Sequence, residues 1–377
     1  MRIFQVIESS ANPAVPGNQT WYRNLYEPLI EMGHDVVLFF ADEGRQAMRS
    51  KDSDNRGVFS QKLLDAFYRE HLKSPFKLFF AYLMDGMVDP TMIDEIRKTG
   101  VIACNFSCNN VHQFDLVDEL SLHFDFNLHA EKDVKNKFLQ IGATPIWWPM
   151  ASNPRYFKPV DVPRTIDASF VGADYALRSF YISHLLENGI DVQAYGPGWS
   201  YKPSRMRAFA KRNLLLFNTI YAVDLQEKRI ASAKLLEYDS STYFHERFKS
   251  NMHAPVSDEE LISLYSRSHI SLGFLEVYDN HDSSKPLIQH LHLREFEAPM
   301  SGALYCTGYT DELAEMFEPD KEVIIYRSQH ELLDKVKFYL HHKDQAARVR
   351  EAGRKRALEE HTYHRRYEQL FTIIGLK

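Results

Sequence analysis

MRIFQVIESSANPAVPGNQTWYRNLYEPLIEMGHDVVLFFA, residues 1–41, decides the architecture. Arg2 to Ile7 is an apolar run of strand length. Asp35 to Ala41 (DVVLFFA) is a second, nearly continuous in apolar residues, as a strand covered on both faces must be. Between them Tyr22, Leu25, Tyr26, Leu29 and Ile30 recur at helical spacing, and Gly33 stands where a helix C-cap would. Strand, helix and strand in so short a span make a βαβ unit, so the strands are parallel.

The rhythm repeats along the chain. Phe76 to Met84, Val101 to Phe106, Phe126 to His129 and Thr144 to Met150 read as strands. Asp89-Pro90 opens one helix, Gly100 ends it, and Glu131 to Gln140 is another. Ala151 to Arg164 then breaks the pattern with three prolines and marks a domain linker. A second series follows: strand Ala168 to Gly172, helix Tyr175 to Asn188, and strand Asp191 to Tyr195. Ser257 and Glu260 form a capping box for a helix from Asp258 to Arg267. His269 to Glu276 is a strand, Leu287 to Met300 a helix, and Ala303 to Thr307 and Val323 to Tyr326 are strands. Ser328 with Glu331 caps a further helix, and Tyr363, Tyr367, Leu370, Phe371 and Ile374 form a last helical stripe. The expected fold is α/β, two Rossmann-type doubly wound domains at 1–160 and 166–355. A helix in 356–377 returns to the first domain, because its stripe needs an apolar partner.

Composition bounds the function. The 377 residues are 44% hydrophobic and 25% charged, ordinary for a globular chain of two domains. Lys+Arg 45 against Asp+Glu 51 gives −6, too mild a balance for nucleic acid as the main partner. Cys104, Cys108 and Cys306 are too few and odd in number for a disulfide framework, which points to a reducing compartment. The opening MRIFQVIESS reads as a strand rather than a signal peptide, and no run approaches about 18 uncharged apolar residues. The expected location is cytoplasmic, with the inner face of the membrane as a variant of it. Lys202, Arg205, Arg207, Lys211 and Arg212 beside Leu214 to Phe217 suit peripheral membrane contact through 202–217, although a packed insertion helix explains them as well.

In open parallel sheets ligands bind beyond the carboxyl ends of the strands. The loop Ser9 to Gln19 holds Gly17, which lets backbone approach a ligand; a long turn capped by Thr20 is the plain alternative. Gly172, with Arg178 after it, permits approach to a phosphate and supplies countercharge, although Gly172 completes no dinucleotide fingerprint. Arg294-Glu-Phe-Glu297-Ala-Pro-Met-Ser-Gly302 is the most informative stretch, a helix ending in Gly before a strand. A carboxylate there can accept from both hydroxyls of a ribose. Asp85, His112, Asp115 and His129 follow first-domain strands, and Asp85, His112 and His129 are candidate catalytic bases, although polar capping of strand ends is the commoner cause. Asp52-Ser-Asp54 lies in a polar run and reads as a solvated loop. Among 17 histidines no His-Glu-x-x-His appears, and His290 and His292 point to different faces of their helix, so no metal is expected.

Here the sequence resembles a known family. Arg294-x-Phe-Glu297-Ala-Pro-x-x-Gly302 is similar to the donor-site helix of GT-B glycosyltransferases of the group 1 (family 4) type, closest to their spore-maturation (CgeB-like) branch. Phe170-Val171-Gly172 with Arg178, Tyr195-Gly196-x-Gly198-Trp199, Ser257 to Tyr265 and His361-Thr362-Tyr363 match further marks of that branch, over roughly 166–371. Gln289 stands where the broader retaining family has a first Glu; it keeps the hydrogen bonding but not the charge, which Glu276 or Asp279 could supply. The resemblance implies a GT-B-like fold, with the two domains facing across a cleft. It implies a glycosyltransferase that moves a hexose from a nucleotide-diphospho-sugar, a UDP-sugar above all, to a glycan, lipid-linked or protein acceptor. No cofactor or metal is implied, and the outcome is retaining. Gly17, Gly172, Arg178, Gly196, Gln289, Arg294 and Glu297 would then be donor-binding residues. A nucleotide-sugar epimerase or hydrolase, or a non-catalytic two-lobed sugar-binding protein, are the alternatives.

Overall fold

The structure, a computed structural model, describes residues 1–9, 19–199, 212–216, 219–220, 232, 234–235, 247–279 and 286–376. The chain divides into two units, Met1–Tyr156 with Glu360–Lys377, and Phe157–Glu359.

In the first unit the apolar runs become strands β1 (Arg2–Ile7), β2 (Asp35–Phe40), β3 (Leu78–Ala81), β4 (Ile102–Ser107), β5 (Phe126–His129) and β6 (Pro145–Trp147). They form one sheet in the order β2-β1-β3-β4-β5-β6, parallel throughout. Every residue of β3 is buried, which is why that strand reads as an unbroken apolar run. Phe4 on β1 meets Phe67, Phe76 and Phe79, with ring centroids 5.3–5.9 Å apart. The helix Tyr363–Ile373 buries Tyr363, Tyr367, Leu370 and Phe371 in this unit. Its Tyr367 hydroxyl donates to the Leu25 carbonyl at 2.7 Å, and the Arg366 carbonyl accepts from Trp148 Nε1 at 2.8 Å.

The second unit holds β7 (Ile166–Val171), β8 (Val192–Tyr195), β9 (Met252–His253), β10 (Ser268–Leu272), β13 (Tyr305–Gly308) and β14 (Ile324–Tyr326). Their order is β14-β13-β10-β7-β8-β9, again all parallel. A separate antiparallel pair, β11 (Glu276–Val277) and β12 (Ile288–Gln289), lies beyond β10. The core gathers Ala168, Phe170, Ile182, Val192, Trp199 and Leu272 between sheet and helices.

Two sequence expectations are corrected. Leu287 to Met300 is not one helix. Ile288 and Gln289 pair across β11, and the helix begins only at Arg294, where the Glu295 carboxylate accepts the His292 backbone N–H. The His290 and His292 rings consequently lie together, with centroids 4.8 Å apart. Nor is Asp52 part of a solvated loop. Its carboxylate accepts the N–H groups of Asp54 and Asn55 at 3.0 and 3.1 Å, capping the helix Ser53–His71.

Candidate active site

Three strands of the second unit deliver their carboxyl ends to one place. β7 ends at Val171 and β8 at Tyr195, and each is followed by a glycine. The Gly172 N–H donates to the Tyr195 carbonyl at 2.8 Å, and the Gly196 N–H to that of His253 at 3.2 Å. Gly196 has φ +142°, and a Cβ there would lie 2.2 Å from the Gly172 carbonyl oxygen. A Cβ at Gly172 would meet Arg294 Nη2 and Phe170 Cζ, both at 2.8 Å. These glycines are required by close packing of backbone and guanidinium, not by a tight turn alone. Trp199 Nε1 donates to the Gly172 carbonyl at 2.6 Å and fixes the loop from below.

Two arginines converge on this point. Arg178, at the start of the helix Arg178–Glu187, is buried and donates from Nη1 to the Ala173 carbonyl at 2.9 Å. Arg294 opens the helix Arg294–Met300. Both guanidinium carbons lie over the Phe170 ring, at 5.3 Å for Arg178 and 4.9 Å for Arg294. Burial, then the charge of Arg294, lowers the Arg178 pKa to about 10, while Glu276 works the other way. Burial also opposes the charge of Arg294, but Tyr305, Tyr265, Glu295 and Glu297 outweigh it and raise that pKa. Nε of Arg178 and Nη1 of Arg294 are buried with no hydrogen-bond partner. Buried donors left open in this way can be completed by a ligand.

One turn beyond Arg294, the buried Glu297 carboxyl is pushed up to about 8 by burial; Arg294 opposes the shift, and Asp258 and Glu295 add to it. Among the described residues it has no hydrogen bond or ion pair. Glu295 differs. Fully buried, it accepts the Tyr305 hydroxyl at 2.7 Å and the His292 N–H, so it holds the start of the helix in place. Sequence reading passed over Glu295 and Tyr305, because an alternating Arg-Glu-Phe-Glu run carries no signal for which acid turns inward.

Gln289 lies on β12, directly across from Glu276 on β11. The Tyr181 hydroxyl donates to Glu276 at 3.0 Å, and the Tyr278 N–H donates to the Tyr175 hydroxyl at 2.8 Å. These bonds dock the hairpin onto the segment that carries Arg178. The structure therefore brings Gly172, Arg178, Gly196, Arg294 and Glu297 together, with Gln289 on the adjoining hairpin. Gly17 and most of the basic stretch 202–217 lie outside the described residues.

The three candidate bases are in the first unit, at the ends of neighbouring strands. Asp85 follows β3, and its two oxygens accept the N–H groups of Leu120 at 2.8 Å and Glu119 at 3.1 Å. Burial raises its pKa to about 7, with Asp118 adding to the shift. His129 ends β5 fully buried. Its Nδ1 donates to the Glu131 carbonyl at 2.9 Å, and burial lowers its pKa. His112 is on the short helix Asn110–Gln113 after β4. Among the described residues no group of three His, Cys, Asp or Glu could hold a metal ion, and no helix is long and apolar enough to cross a membrane.

A family described as glycosyl transferase-like matches residues 178–372, more than half of the chain and inclusive of Arg178, Arg294 and Glu297. The chain belongs to the glycosyl transferase-like family. Solved structures agree on the fold. Sucrose-phosphate synthase from Thermosynechococcus elongatus aligns over 100% of this chain and 98% of its own, with TM-score 0.60 at 13% identity. A glycosyltransferase from Rickettsia africae aligns over 99% and 97%, with TM-score 0.59 at 12% identity. Anabaena HepE, solved in complex with UDP-glucose, aligns over 100% and 99%, with TM-score 0.55 at 10% identity. At these identities the likeness establishes the fold, and the glycosyl transferase-like chain has the GT-B architecture. No curated protein matches its sequence.

Proposed function

We propose that this glycosyl transferase-like protein moves a hexosyl group from a UDP-sugar to an acceptor hydroxyl, without a metal ion and with retention, and that it belongs to the spore-maturation (CgeB-like) branch. The observation that carries this reading is the pair Arg178 and Arg294 beside Gly172, each with a buried N–H lacking a partner. Two guanidinium groups can neutralise a leaving diphosphate, the task a divalent cation performs elsewhere. Glu297 accepts the ribose hydroxyls, as a planar carboxylate does well. HepE, solved with UDP-glucose, favours a UDP donor. The first unit holds the acceptor. The bond from the anomeric carbon to the diphosphate oxygen breaks as the bond to the acceptor oxygen forms on the same face, and the departing diphosphate oxygen takes the acceptor proton. Asp85, raised to about 7, is the first-unit candidate for accepting a hydrogen bond from the acceptor hydroxyl near neutral pH.

The test is turnover of a UDP-sugar panel with mixed glycan, lipid-linked and peptide acceptors, in excess EDTA and in manganese, followed by mass spectrometry. Equal product with and without EDTA is expected. Loss in EDTA restored by manganese would contradict the metal-free reading, and UDP release without any acceptor product would contradict transfer.

A further inference from the structure

Phe170 is fully buried at the end of β7, yet it is surrounded by charge rather than by core alone. Its ring meets Phe274 at 5.0 Å and Trp199 at 6.1 Å, both edge to face, which fixes the plane of the ring. Trp199 is in turn held by its bond to the Gly172 carbonyl. Arg178 and Arg294 both lie over this ring, although two like charges brought together in a dry site repel. Glu276 opposes that repulsion at Arg178, and Glu295 and Glu297 do so at Arg294. None of these acids ion-pairs with either guanidinium among the described residues, so no carboxylate occupies their donor atoms. An aromatic face can hold cations without using up N–H groups, because it attracts them through its quadrupole.

We infer that Phe170 is a positioning residue, which holds the two guanidinium groups together and open before the diphosphate arrives. The inference rests on the donor-site reading above. Without the ring's pull, Arg178 keeps only the Ala173 carbonyl and the Tyr175 face and Arg294 the Tyr265 hydroxyl, so the pair spreads in the empty protein and must be ordered again on binding. Freezing two rotamer-rich side chains weakens binding by about tenfold.

Fluorinated phenylalanines placed at position 170 by codon suppression test this, because successive fluorines drain the ring's quadrupole while changing its shape little. Inorganic pyrophosphate, UDP and uridine are titrated calorimetrically into the unaltered protein, the fluorinated series and Phe170→Leu. The expected result is a stepwise loss of pyrophosphate and UDP affinity with fluorine number, to about tenfold for the trifluorinated ring. Uridine affinity and the thermal midpoint stay constant along the fluorinated series. Unchanged UDP affinity across the series, with loss only in Phe170→Leu, would show that the ring merely fills space and overturn the inference. Failure of the unaltered protein to bind pyrophosphate or UDP would overturn the donor-site reading itself.

Discussion

If the Glu297 carboxylate grips a ribose, donor affinity must rise with pH across the range in which that carboxyl ionises. Burial holds its pKa at about 8, since the Arg294 charge does not offset the loss of water. With that value about 3% of the site is ionised at pH 6.5 and about 75% at pH 8.5. A ligand whose two hydroxyls need the carboxylate form therefore binds up to about 25-fold more tightly at the higher pH. UDP-glucose is the proper probe, because its diphosphate diester does not titrate there. Calorimetric titration from pH 6.5 to 8.5 should show that rise in the unaltered protein and a flat profile in Glu297→Gln. Stability runs the other way. A carboxyl whose folded pKa lies above its unfolded value binds extra protons in the folded state, so its contribution is present at low pH and is lost as pH rises towards 8. The thermal midpoint of the empty protein should accordingly fall more steeply over that range than that of Glu297→Gln. The same pH profile in both proteins would refute the reasoning.

Other outcomes follow from the same geometry. Gly196→Ala places a Cβ 2.2 Å from the Gly172 carbonyl oxygen at φ +142°, so it should cost about 2–4 kcal/mol, read as a lower thermal midpoint, and abolish UDP binding. Arg366→Ala removes donors from the Pro149 and Glu360 carbonyls, both at 2.9 Å, and should cost about 3 kcal/mol without changing UDP affinity in protein that remains folded. Glu276→Gln removes the negative charge that offsets Arg178 while keeping an acceptor for Tyr181, so UDP alone should bind several-fold more tightly by calorimetry.

The strands were legible because parallel strands covered on both faces leave continuous apolar runs, as in DVVLFFA and in β3. Capping chemistry was equally local in half: the Ser257 hydroxyl accepts the Glu260 N–H at 3.2 Å, but the Glu260 carboxylate accepts from Arg267 instead of closing the box. The failures share a cause. β12 is two residues long and exists through its partner β11, so nothing within Leu287 to Met300 announces it. The helix Lys343–Glu360 turns Ala346, Val349, Gly353 and Ala357 inward, and such small residues give no strong apolar stripe. A Cβ at Gly353 would lie 2.1 Å from the Glu322 carbonyl, so close packing, not hydrophobicity, selects that residue. At the site, the order of Gly172, Arg178, Arg294 and Glu297 could be read from the chain. The Phe170 ring that both arginines share, and the inward turn of Glu295, depend on strands distant in sequence.

The proposed function requires Arg178, Arg294 and Glu297 together to bind the diphosphate and ribose of a nucleotide-sugar. Calorimetric titration of UDP-glucose and of uridine into the unaltered protein, Arg294→Ala and Glu297→Ala tests it most directly. Loss of the Arg294 side chain should weaken UDP-glucose by at least tenfold and uridine by less, the latter because Arg294 also favours the ionised form of Glu297, whereas loss of Glu297 should weaken both at pH 8.5, by about 2–3 kcal/mol. Unaltered affinity for UDP-glucose in both folded variants would contradict the account.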